Sequence, residues 1–133
     1  MIKNKYELKR RDYRIRQVRE AVLSRYSRLN DVHIVRCSQF GVSALDYVPL
    51  LNEGWYVLLM HSENIKRLRE EDRVACYPNR VKAKGGHKFL PSYNDNPIIA
   101  DLSVPENEVH ALRLDDNGDI RTEAGITKLI FSH

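Results

Sequence analysis

Arginine and lysine crowd the first thirty residues of this chain. Lys3, Lys5, Lys9, Arg10, Arg11, Arg14, Arg16, Arg19, Arg25 and Arg28 stand there against only Glu7, Asp12 and Glu20. That stretch is net +7, while the 133-residue chain as a whole is +4, so residues 31–133 are net −3. Guanidinium and ammonium groups at this density can neutralise phosphates or an acidic protein surface. A solvated helix face that keeps a small protein in solution has the same composition. Lys3, Lys9, Arg10, Arg14, Arg16 and Arg19 are the candidate phosphate contacts. Tyr6 and Tyr13, one heptad apart, are candidates for stacking on bases or lying beside sugars. The same two tyrosines would equally suit packing at the domain edge.

A second basic cluster surrounds Gly85-Gly86-His87. A backbone turn there would present Lys82, Lys84 and Lys88 to a phosphate; a plain surface loop has the same residues. The glycines have the spacing of neither a phosphate loop nor a dinucleotide fingerprint. No cofactor is expected.

Other chemistries have less support. The five histidines are scattered, and His33 with Cys37 falls short of the four ligands of a closed zinc site. No metal is expected. Asp115, Asn117 and Asp119 imitate half of a calcium loop, but the glycine falls at 118 and position 126 is isoleucine rather than glutamate. A polar hairpin tip is the expectation. Ser38, Ser43 and Ser103 sit in no nucleophile elbow.

His33 and Arg36 on a strand, a helix ending at Gly54, another strand and a late Glu123 resemble small ADP-ribosyltransferases in order alone. In those enzymes a late glutamate orients a ribose hydroxyl or activates the acceptor. The Ser/Thr strand motif and the aromatic signature of that family are not identifiable here, and an enzyme of this kind is the second alternative to the readings given below.

The elements that must position these groups follow from spacing. Leu8, Ile15, Val18, Val22 and Leu29 recur at helical intervals, and no Gly or Pro interrupts residues 3–30. This predicts one amphipathic helix over 1–30, stopping at Asn30-Asp31. Arg11 and Arg25 on its stripe oppose a coiled coil, so the stripe should pack on the rest of the chain. Residues 31–37 alternate as a strand. Ser43 resembles an N-cap for a short helix through Leu51. Residues 55–61 (WYVLLMH) predict a central strand buried on both faces. Residues 62–72 predict a charged helix burying Ile65 and Leu68, and 73–77 a strand. Residues 78–97, punctuated by Pro and Gly, read as the least regular part. Strands are predicted at 98–104, 109–114 and 128–131, with a hairpin turn at Asn117-Gly118 into 120–122.

The expectation is α+β in a single domain, 1–133, with a mostly antiparallel sheet of about five or six strands and the basic helix packed across it. No apolar run approaches the roughly 20 residues of a membrane span. The N-terminus lacks the apolar core of a secretory signal, and its acids argue against a transit peptide. Cys37 and Cys76 fit reduced thiols in the cytoplasm better than a disulfide. The leading functional expectation is a nucleic-acid-binding module, for DNA or RNA. The alternative is an inhibitor- or antitoxin-like module binding an acidic protein surface.

Overall fold

The most apolar run of the chain becomes the middle of a sheet. Tyr56–Met60 forms a strand whose five side chains are all buried. The computed structural model describes residues 5–37, 49–52, 56–70, 75–83 and 86–131, with side chains described for 16–37, 49–51, 56–70 and 90–131. Among them the order is α1 (Lys5–Tyr26), β1 (Val32–Cys37), a 3-10 turn (Pro49–Asn52), β2 (Tyr56–Met60), α2 (Ser62–Glu70), β3 (Ala75–Ala83), β4 (Gly86–Tyr93), β5 (Asn96–Ala100), β6 (Glu108–Arg113), a second 3-10 turn (Thr122–Ala124) and β7 (Ile126–Phe131).

These seven strands make one sheet in the order β1-β7-β6-β2-β5-β4-β3. β1 with β7 and β2 with β5 run parallel; the other four pairings are antiparallel. The fold is α+β, as expected, with a mostly antiparallel sheet and the N-terminal helix packed against it.

Period-two alternation sorts the strands into two cores. Leu58, Met60, Ile98, Val109, Ala111, Leu129 and Phe131 pack with Leu51 and with Ile65 and Leu68 of α2. Val57, Leu59, Ile99, Leu112 and Ile126 pack on the other side with Val18 and Val22 of α1. β2 carries no polar alternation because a helix covers each of its faces. Each fully buried Leu or Val contributes about 1.5–3 kcal/mol relative to exposure.

α1 stops at Tyr26, earlier than its expected end. Arg28 and Leu29 bond back three residues, to Arg25 O at 3.1 Å and Tyr26 O at 3.2 Å. These tighter bonds close the last turn and release the chain into β1. At the other helix His61 acts as the cap. Its Nδ1 accepts from Glu63 N at 3.1 Å, and its carbonyl accepts from Asn64 N at 3.0 Å.

The irregular reading of 78–97 is corrected. β3 and β4 pair as an antiparallel hairpin through this segment, with a register shift between Pro78 and Lys82. The prolines are tolerated for local reasons. Pro78 lies on an edge strand, and Pro91 lies where β4 has no partner in β5, which pairs only from Ser92 onward. Asn94 and Asp95 take positive φ, 48° and 65°, and turn β4 directly into β5. The strand expected to run to residue 104 ends at Ala100. There Asp101 Oδ1 accepts from Ser103 N at 3.0 Å and Ser103 Oγ at 2.7 Å, which bends the chain away. The helix expected from Ser43 lies outside the described residues, apart from the 3-10 turn at its end. The Asn117-Gly118 turn is present, but its return arm is a single bridge, Leu114 to Ile120, before the second 3-10 turn.

Candidate functional site

Val18 and Val22 anchor α1 on the sheet, at 0% and 3% exposure. Arg16 and Arg19, two of the expected phosphate contacts, are exposed. Arg25 and Arg28 are exposed as well, and Arg25 reaches Asp119 at 3.5 Å, tying α1 to the hairpin tip. Tyr6, Lys9, Arg10, Tyr13 and Arg14 fall within α1, but their side chains lie outside the described residues, as does the whole of Lys3. α1 packs beside β3 and β4. Lys82 lies on β3, and Lys88 on β4, one residue beyond the Lys82–His87 pairing. Their side chains, and all of Lys84, lie outside the described residues. The basic helix and two of the three hairpin lysines therefore belong to neighbouring elements.

A buried polar cluster sits under the last turn of α1, and no spacing rule pointed to it. The Tyr26 hydroxyl is hydrogen bonded to His110 Nδ1, and the rings stand 5.8 Å apart. His110 is 5% exposed; its Nε2 lies 3.6 Å from Glu108 Oε1 and has no hydrogen-bond partner. Burial pushes the imidazole pKa down, while Glu108 and Asp101 oppose that and Lys128 reinforces it. Burial pushes the Tyr26 phenol up, with Asp101 and Glu108 adding to the effect. Nδ1 is bonded to Tyr26 and Nε2 is buried, so the arrangement joins helix to sheet.

A second unforeseen arrangement lies on the opposite face. Tyr56, Ala111, Arg113, Arg121, Ala124, Gly125 and Thr127 line a cavity of about 330 Å³. The Arg113 guanidinium lies 5.1 Å from the centre of the Tyr56 ring. Arg121 Nε donates to Glu123 Oε1 at 2.8 Å. The signal was present in the hairpin turn: residues flanking a tight turn face one another.

Glu123 is exposed and its carboxyl pKa is held down by the bond from Arg121. His33 and Arg36 are exposed on β1. Cys37 is a free, half-buried thiol whose pKa is raised by burial. Asp115 Oδ1 accepts from Asn117 N and Asp119 N, at 2.8 and 2.9 Å, and so builds the hairpin tip. Among the described residues no three His, Cys, Asp or Glu side chains gather as a metal site, and no helix is long and apolar enough to cross a membrane. Comparison with protein-family models, curated proteins and solved structures finds no match.

Proposed function

We propose that this chain is a small nucleic-acid-binding module whose contact surface is α1, extended by the neighbouring β3–β4 hairpin. The observation that supports the reading is the way α1 is held. Two valines seat it, while Arg16 and Arg19 remain exposed. A rigid helix presenting bases pays little ordering entropy when it meets phosphates.

Titration with DNA and with RNA at several salt concentrations tests this. Each neutralised phosphate releases counterion, so the affinity should fall steeply with salt. Changing Arg10, Arg14, Arg16 and Arg19 together to Gln should preserve the helix, since the two residues have similar helix propensity. It should also flatten the salt slope, by up to about 0.9 per lost contact on duplex DNA. No binding by the parent protein at low salt would sink the reading.

A protein-interaction module is the second reading, and one observation favours it. Val32, Ile34 and Val35 are 47%, 57% and 39% exposed on the edge strand β1. Binding to a protein with an acidic surface would survive nuclease and depend on a few anchoring side chains.

A further inference from the structure

Arg113 and Arg121 stand opposite each other. The bridge from Leu114 to Ile120 and the bond from Arg121 N to Arg113 O, 2.8 Å, set them as the next cross-strand pair. Leu114 and Ile120 both enter the core beneath α1. By alternation, Arg113 and Arg121 both lie on the other face. Like charges directly opposed on one face are destabilising. Among the described residues no carboxylate pairs with Arg113, whose guanidinium is instead laid over Tyr56. Glu123 occupies Arg121 through Nε alone, which leaves its terminal nitrogens outside that bond. Asp115 and Asp116 also act on Arg121, but Asp115 Oδ1 is engaged in the hairpin tip. Among the described residues no acidic side chain lines the cavity, whose wall also includes Thr127.

We propose that this cavity binds the phosphate group of a small phosphate monoester, of nucleotide or sugar phosphate size. Both arginines line the cavity, and a guanidinium fork suits phosphate oxygens in charge and shape. The volume lies at the lower end of the range of small-ligand pockets, about 300–1,000 Å³. A bound phosphate would add negative charge beside two arginines that share one face. This site lies on the face opposite α1 and stands independently of the nucleic-acid reading.

Calorimetric titration of the full chain with inorganic phosphate, adenosine monophosphate and glucose 6-phosphate tests it. Saturable binding of at least one ester is expected, weakened about tenfold or more by Arg113→Gln. Glu123→Gln frees Arg121 and should tighten binding severalfold. Glu123 is 67% exposed, so that variant keeps the fold even if Arg113→Gln does not. Equal affinity for inorganic phosphate and the esters would support the two donors and make free phosphate the ligand. No saturable binding at millimolar concentration, or an unchanged or weaker affinity in Glu123→Gln, would overturn the proposal. The Arg-to-Gln changes on α1 should leave these affinities unaltered.

Discussion

The Tyr26 hydroxyl and His110 Nδ1 are hydrogen bonded, so the last turn of α1 is fastened to the middle of β6 by two polar side chains. Val18 and Val22 seat the helix by burial, and the hydrogen bond adds a directional contact at its last turn.

Stability should therefore depend on the charge of His110. The groups facing it are Tyr26 from α1, Glu108 from its own strand, Lys128 from β7 and Asp101 beyond β5. Its folded pKa is lowered, chiefly by burial. The unfolded chain then binds more protons than the folded one between that lowered value and the ordinary histidine pKa of about 6.5. Stability is complete above that ordinary value and falls as pH drops through the window. Denaturant midpoints at pH 7.5 and 5 should differ in that direction for the parent, and less for His110→Gln. Equal pH dependence in both would refute the assignment. Tyr26→Phe should cost about 1 kcal/mol at pH 7.5.

Asn96 should be among the most sensitive polar positions. It is fully buried at the start of β5. Its Oδ1 accepts from Tyr56 N at 2.8 Å, and its Nδ2 donates to Leu51 O, Tyr93 O and Asn94 O at 3.2, 3.1 and 3.1 Å. Asn96→Leu strands a buried main-chain N–H and removes a donor from three carbonyls. A loss of about 2–4 kcal/mol is expected from equilibrium unfolding, on the scale of 1–3 kcal/mol for each unsatisfied group. A loss under about 1 kcal/mol would show that water replaces the amide.

Gly125 has φ of +69°, and a Cβ there would meet Asp31 O at 2.6 Å and Asp31 Cβ at 2.9 Å. Asp31 O also accepts from Ile126 N at 2.9 Å, the first bond joining β1 to β7. Gly125→Ala should cost about 2 kcal/mol or more, from strain and displaced pairing. Hydrogen exchange should quicken in β1 before the rest of the sheet. Uniform acceleration would place the damage elsewhere.

Local pattern made part of this fold legible. Tyr56–Met60 announced a doubly covered strand, and Ile65 and Leu68 announced the buried side of α2, because each signal needs only a few neighbouring residues. The β3–β4 hairpin was hidden because Pro78 and Pro91 look like breakers until their places on the sheet are known. The sites divide in the same way. Arg16 and Arg19 could be read as exposed from the helical period. Tyr26 and His110 are 84 residues apart, and only the packing of α1 on β6 brings them together. Arg113 and Arg121 were within reach of the turn signal, but their shared face depends on the register of the Leu114–Ile120 bridge.

β1 lies at the sheet edge, and its neighbour there is β7, beginning at Ile126 opposite Val32. During synthesis a ribosome releases β1 before any other strand described here, and β7 after all of them. Throughout that interval Val32, Ile34 and Val35 have no ladder to join, and an unpaired apolar strand is a template for another chain. Yield in a cell should therefore depend on how quickly translation crosses residues 38–125. Slowed codons in that interval would favour aggregates even though the finished protein is unchanged.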